Sequence, residues 1–169
     1  MRNYIWFNGG SWGDITANII NGKAIPCDIT RLMKSNKPIN PAMIESYDTL
    51  AGHRDDVLGM GFKNFRIVIT DPELLSYAAD RFLRLNKAKD YKMVLRHYYP
   101  ESIHPLIDKA DLVEQKKLFI KKQSITCTNN YIPLDFNHIK NTNKHLDMLS
   151  EHFVFDRDYA KEVMKLAWR

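Results

Sequence analysis

Segment 8–13 has residue types that favour the binding of an anion. It reads Asn-Gly-Gly-Ser-Trp-Gly and lies between an apolar run ending at Phe7 and a run of helical periodicity over 14–21. A strand, a glycine-rich turn and a helix in this order direct backbone N–H groups at an anion, with the helix dipole behind them. A tight turn without a ligand is the alternative. The residues predicted to bind the ligand are Gly9, Gly10, Ser11, Trp12 and Gly13, with Trp12 as a candidate for stacking on a base or a sugar.

Two common nucleotide-binding signatures are absent from this loop. A Walker A motif has Lys followed by Ser or Thr after its last glycine, whereas Gly13 is followed by Asp14 and Ile15. The dinucleotide pattern Gly-x-Gly-x-x-Gly is also missing. Hydrolysis of ATP or GTP is therefore not predicted.

Two side chains further along the chain are candidates for chemistry. His53 lies in a polar loop beside Arg54, and a histidine titrates close enough to neutrality to act as a general base. Ser76 lies in the first turns of a predicted helix, where its hydroxyl can donate to a phosphate oxygen. The structural alternatives are a histidine that lines a loop and a serine that faces solvent or bonds its own helix. Candidate sources of positive charge are Arg66, Arg81 and Arg84.

The other histidines do not predict a metal site. His138, His145 and His152 are separated by two helical turns rather than one. A zinc site normally uses closer pairs of histidines or a cysteine partner. No structural zinc is therefore expected.

The candidate residues are positioned by strands and helices that alternate along the chain. The strands are predicted over 3–7, 24–29, 47–50, 65–69, 124–128 and 131–134. Helices are predicted over 14–21, 41–46, 90–99, 102–122 and 137–150, with one starting at Pro72 and one capped by Asp156. The apolar face of the helix from Pro72 is predicted to carry Leu74, Leu75, Ala78, Phe82 and Leu85, and the inward positions of the helix over 137–150 are Ile139, Leu146 and Leu149. Segment 31–41 is polar, has two prolines and is predicted to be an irregular excursion over the surface. The order of these elements predicts one domain over 1–169, a three-layer α/β sandwich with a mainly parallel sheet. The loops after Phe7, Leu50 and Ile69 then converge at the carboxyl edge, where such sheets bind ligands.

The amino-acid composition limits the kinds of ligand and the cellular compartment that we expect for this protein. The chain has 44% hydrophobic residues and a net charge of +5, which suits a folded core and an anionic ligand. Cys27 and Cys127 are far apart and are predicted to be reduced, buried thiols of a cytoplasmic protein. No apolar run approaches the roughly 20 residues of a membrane span. No targeting segment is recognised at the N-terminus.

The order of these motifs resembles the sulfotransferase family, whose fold is of the P-loop type. Segment 7–16 resembles the loop that holds the 5′-phosphosulfate of the donor PAPS, and Gly52-His53-Arg54 occupies the position of the catalytic histidine. Thr70-Asp71-Pro72 followed by Ser76 resembles the proline motif and the serine that binds the 3′-phosphate. Segment 132–136 resembles the late strand-loop-helix of that family. The resemblance implies a PAPS or PAP cofactor, with His53 as the catalytic residue.

Three functions follow from these observations. The first is transfer of a sulfuryl group from the nucleotide donor to a hydroxyl. The second is a catalytically inactive relative that acts as a binding, inhibitory or assembly protein with a protein partner, a viral protein being one such case; it is motivated by a loop 8–13 without Lys or Arg. The third is a nucleic-acid binder, suggested by the basic residues over 81–96. It ranks last because acidic residues are interspersed throughout.

Overall fold

The central element is a four-stranded sheet in which all strands are parallel. The computed structural model describes residues 2–54, 57–123 and 130–167. Its strands are β1 (Arg2–Trp6), β2 (Thr49–Gly52), β3 (Phe62–Ile69) and β4 (Tyr131–Leu134), in the spatial order β2-β1-β3-β4. The α/β class and the parallel sheet are confirmed. The strand predicted over 124–128 lies outside the described residues.

Helices connect the strands and cover the sheet. They are α1 (Gly13–Asn21), α2 (Cys27–Lys34), α3 (Pro41–Ile44), α4 (Pro72–Asn86), α5 (Lys92–Tyr98), α6 (His104–Lys109), α7 (Leu112–Gln123), α8 (Phe136–Lys140), α9 (Thr142–Ser150) and α10 (Arg157–Ala167). Two 3₁₀ turns lie at Leu58–Met60 and Glu101–Ile103.

The two faces of the sheet are covered by different helices because side chains alternate along each strand. Ile5 and Phe65 belong to the face that packs with α1, α4 and helices α8–α10 in the largest apolar cluster. Tyr4 and Leu50 point the other way, onto α2 and α3. Helices on both faces are consistent with the predicted three-layer arrangement.

Helices α4–α7 enclose a further apolar cluster of their own. Ala79 of α4 packs there with Leu95, Ile107 and Phe119. The adjacent face of α4 carries Ala78, which belongs to the cluster over the sheet. Helix α4 therefore joins the sheet to this helical layer, and it runs past the loop that follows β1.

The start of α4 agrees with its sequence signals. Asp71 Oδ1 accepts a hydrogen bond from the backbone N–H of Glu73 at 2.9 Å, and Pro72 occupies the first helical position. Leu74 and Ala78 are buried as predicted. Leu85, which was predicted to face inward, is 55% exposed, because it lines an open cleft near the end of the helix.

The strand predicted over 24–29 is wrong. Pro26 instead precedes α2, in which Ile29 and Met33 are one helical turn apart and both buried. Their spacing fits a helix, and the proline sits where no intrahelical N–H bond is needed. Cys27, in the first turn, is consequently exposed rather than buried. Cys127 lies outside the described residues.

The helix predicted over 137–150 is two helices. The break is at Asn141, whose extended backbone and side-chain oxygen cap α9 by accepting from Lys144 N–H at 3.1 Å. Ile139, Leu146 and Leu149 are buried as predicted. An asparagine that caps its own downstream helix therefore divides an otherwise continuous pattern.

His145 on α9 predicts a loss of stability in mild acid. Its side chain is buried beside His138, and burial, with a smaller contribution from His138, lowers its pKa from 6.5 to about 4. Between these values the unfolded chain binds the proton and the folded chain does not. The free energy of unfolding should therefore have its full value above pH 6.5 and be about 3 kcal/mol lower at pH 4.

Urea unfolding of wild type and His145→Gln from pH 7.5 to 4 measures this dependence. The variant should lose the part of the acid-sensitive stability that comes from His145, and the part from His53, whose pKa burial also lowers, should remain. The control, His152→Gln, removes an exposed histidine and should keep the wild-type slope. Equal slopes in all three proteins would contradict the assignment to His145.

Candidate functional site

A cleft lies at the carboxyl edge of the sheet, beside the loop after β1 and helix α4. Its first compartment has a volume of about 340 Å³ and its second about 490 Å³. The residues shared by the two compartments are Lys34, His53, Phe82 and Asn86. Of the three loops expected to converge here, those after β1 and β2 line the cleft, whereas Thr70 and Asp71, which follow β3, are not among its lining residues.

His53 is held in a defined orientation between the compartments. It follows β2 directly, and its Nδ1 lies 2.6 Å from the carbonyl oxygen of Phe7, which follows β1. Since a carbonyl oxygen only accepts, Nδ1 carries the proton and Nε2 keeps its lone pair. Burial lowers the pKa of His53, and the charge of Lys34 lowers it further. The imidazole is therefore neutral near pH 7 and has the protonation state of a general base.

Arg81 brings a cation to the glycine-rich loop from α4. Its Nη1 donates to the carbonyl oxygen of Gly10 at 3.1 Å, and its guanidinium carbon lies 4.8 Å from the centre of the Trp12 ring. Its Nε is buried and has no hydrogen-bond partner within the described parts of the chain. Burial lowers the pKa of Arg81, but arginine remains charged at neutral pH. The loop thus acquires by folding a cation that its own sequence lacks.

Lys34 at the end of α2 supplies a second cation. Its Nζ lies 2.5 Å from Oδ2 of Asp14, in the first turn of α1. Sequence reasoning missed Lys34, which falls in a segment that was predicted to be an irregular surface excursion. Only the correct assignment of α2 as a helix, and its packing on β2, would have placed this lysine near the loop.

The electrostatic balance of the cleft favours an anion. The permanent cations among its described lining residues are Lys34, Arg54, Arg81 and Lys122, and the carboxylate is that of Asp14. The first residues of α1 also line the first compartment, and no side chain caps this helix. A helix N-terminus and a surplus of cations both attract negative charge.

The glycines of the loop have a packing role. A Cβ at Gly9 would overlap the ring of Phe82, and one at Gly10 would overlap the carbonyl oxygen of Ala78. Gly10 also has a φ of +86°, which side chains rarely adopt. Close approach of α4 to the loop thus requires glycine at both positions, and their part in anion binding stays a prediction.

The structure brings only some of the predicted site residues together. Those that line the first compartment are Gly9, Gly10, Trp12, Gly13 and His53. Ser11 is buried and its N–H donates to the Asn8 carbonyl oxygen at 3.0 Å, so its backbone closes the turn. Ser76 is half-buried on α4, and neither serine is among the residues lining the cleft.

Trp12 has contacts that fix it structurally. It is 5% exposed, stacks parallel to Tyr77 with ring centres 6.1 Å apart, and donates from Nε1 to the Ala167 carbonyl oxygen at 3.2 Å. Its φ of +60° is unusual for a bulky residue. Trp12 therefore joins the loop to α4 and to the end of α10, and stacking on a base or sugar stays a prediction.

Comparison with known proteins found no relative of this chain. No family model, curated protein or solved structure matches the chain. The function must therefore be argued from the site itself.

Two further findings concern metals and membranes. The described residues contain no group of three or more histidines, cysteines or carboxylates arranged to hold a metal ion. Within the same residues, no helix has both the length and the apolar character needed to cross a bilayer.

Proposed function

We propose that this protein binds a nucleotide-like donor of the PAPS type in the first compartment and transfers its sulfuryl group to a hydroxyl. In this proposal the chain is a sulfotransferase-like member of the P-loop folds. Support comes from the order of the motifs and from the basic first compartment beside the helix N-terminus of α1. The residues assigned to the donor are Arg81, Lys34 and the backbone of 9–13.

The observation that carries the proposal is the state of His53. Its Nδ1–H is committed to the Phe7 carbonyl oxygen, so Nε2 is the atom left to accept a proton. The residue lines both compartments, so in this proposal the donor binds on one side of it and the acceptor on the other. A neutral imidazole in this place suits general-base catalysis.

The proposed step is a single displacement at sulfur. The acceptor hydroxyl gives its proton to Nε2 of His53 while its oxygen forms a bond to the sulfur of the donor. The bond between sulfur and the bridging phosphate oxygen breaks, and its electron pair leaves with adenosine 3′,5′-bisphosphate. Arg81 and Lys34 stabilise the charge that develops on this leaving phosphate.

Calorimetric titration with adenosine 3′,5′-bisphosphate tests the donor assignment. Arg81→Ala should weaken binding by about 10- to 100-fold, which is the usual value of a hydrogen bond to a charged group. The control is Arg84→Ala, which removes the same charge from the exposed side of α4 and should bind like wild type. No binding by wild type at millimolar nucleotide, or equal losses in both variants, would overturn the proposal.

A second candidate function is a catalytically inactive relative that binds a protein. It is favoured by the two serines outside the cleft and by the packing role of the glycines. Exposed apolar side chains on the α5–α7 layer, among them Met93, Leu106 and Val113, are a surface for such a partner. Co-purification of a stable partner, together with a lack of nucleotide affinity, would select this function.

A further inference from the structure

The second compartment differs chemically from the first. It lies on the side of His53 towards α5 and the end of α7, and it is lined by the side chains of Val94, Tyr98 and Lys122. Its volume of about 490 Å³ is that of a site for a small molecule. Of its lining residues only Lys34 is assigned to the donor in the proposed function, so the others need another explanation.

Its charged lining residues are positive. Lys34, Arg54 and Lys122 contribute permanent charges and His97 adds an imidazole that can donate a hydrogen bond, whereas none of the described lining residues is a carboxylate. Lys122 is half-buried, and its ammonium lies 5.2 Å from the centre of the Tyr99 ring. A ligand of this compartment should therefore carry a negative charge of its own.

Its remaining polar groups suit hydroxyls. Asn36 and Asn86 present amide side chains, which can both donate to and accept from a hydroxyl. Burial raises the pKa of Tyr98, so its phenol also stays a neutral donor and acceptor. The aromatic residues Phe82 and Tyr98 also line the compartment, and aromatic side chains are surfaces on which the C–H groups of a sugar can pack.

We infer that the second compartment binds the acceptor, and that this acceptor is a hydroxylated small anion of the sugar phosphate class. One of its hydroxyls faces His53, and its anionic group lies with Lys122 and His97. The acceptor role rests on the proposed function, because it requires a sulfuryl donor in the first compartment. The binding itself does not, since it is tested through Lys122, which lines only the second compartment, and not through Arg81, which lines only the first.

Ligand-observed NMR with glucose 6-phosphate and with glucose tests this inference, in the presence of saturating adenosine 3′,5′-bisphosphate and in its absence. Wild type should bind glucose 6-phosphate in both conditions and glucose much more weakly. Lys122→Gln should weaken binding of glucose 6-phosphate by about five- to tenfold. Lys117→Gln, an exposed lysine of the same helix outside the cleft, is the matched control and should bind like wild type.

Three results would overturn the inference. The first is no binding of glucose 6-phosphate at 10 mM, a concentration of the order of weak fragment affinities. The second is equal binding of glucose and glucose 6-phosphate. The third is competition by adenosine 3′,5′-bisphosphate with sensitivity to Arg81→Ala instead of Lys122→Gln, since the sugar phosphate would then occupy the first compartment.

Failure of the inference and failure of the proposed function can be told apart. If the nucleotide binds through Arg81 but glucose 6-phosphate does not bind through Lys122, the donor assignment stands and the acceptor class is wrong. If glucose 6-phosphate binds through Lys122 but the nucleotide does not bind, the compartment is an anion site of a protein that is not a sulfotransferase.

Discussion

Replacing His53 with alanine should reduce sulfuryl transfer by about 10²- to 10⁴-fold, the usual contribution of a general base. The loss follows from removing Nε2, the atom that accepts the proton of the acceptor hydroxyl. Affinity for adenosine 3′,5′-bisphosphate should be retained, because the donor is assigned to Arg81, Lys34 and the loop backbone. Release of adenosine 3′,5′-bisphosphate from PAPS, measured with a pool of hydroxylated acceptors, gives the rate.

The pH dependence of the rate separates a catalytic from a structural role for His53. Burial lowers its pKa below the ordinary 6.5, so the reactive neutral form predominates at pH 7. The wild-type rate should fall in acidic solution with its midpoint below pH 6.5, and the residual rate of His53→Ala should lack this fall. His152→Ala, on an exposed histidine, is the control. Unchanged turnover in His53→Ala would show that this histidine is not the base.

Gly10→Ala should destabilise the fold by about 3–4 kcal/mol, which is large for a single methyl group. Two effects add at this position. The φ of +86° is strained for alanine, and the new Cβ would overlap the carbonyl oxygen of Ala78 on α4. A backbone oxygen within a helix cannot move aside without displacing α4. Urea unfolding, with the midpoint and the slope both fitted, measures the change.

Gly61→Ala is a matched control for the strain alone. Gly61 has a φ of +80°, and nothing lies within 4 Å of a Cβ built there. Alanine at this position should therefore lower the free energy of unfolding only by the strain of the left-handed backbone, about 1–2 kcal/mol. Equal destabilisation by the two substitutions would mean that α4 does not press on the loop as the structure has it.

These packing contacts change the meaning of the glycine-rich loop. In the sequence, Gly9 and Gly10 predict a cradle of N–H groups around an anion. In the structure, their missing side chains let α4 approach the loop, which brings Arg81 to the Gly10 carbonyl oxygen. The cation and the glycines are therefore parts of one arrangement, and the loop depends on α4 for its positive charge.

Elements with strong local signals could be predicted from the sequence. The β-branched run at the end of β3, and the cap and proline at Asp71-Pro72, need only neighbouring residues. The parallel sheet also followed from the alternation of elements, and with it the edge at which the cleft lies. The strand predicted over 24–29 failed because the short apolar pattern there fits a strand as well as a helix.

The sequence by itself therefore determined the class of fold and the edge of the sheet that carries the candidate site, since both depend on periodicity and on local caps. Tertiary structure decided which side chains meet there. Arg81 reaches Gly10 across 71 positions of the chain, and the His53 tautomer is set by Phe7, 46 positions earlier. Such contacts arise from the packing of helices on a sheet, and no local spacing of residues records them.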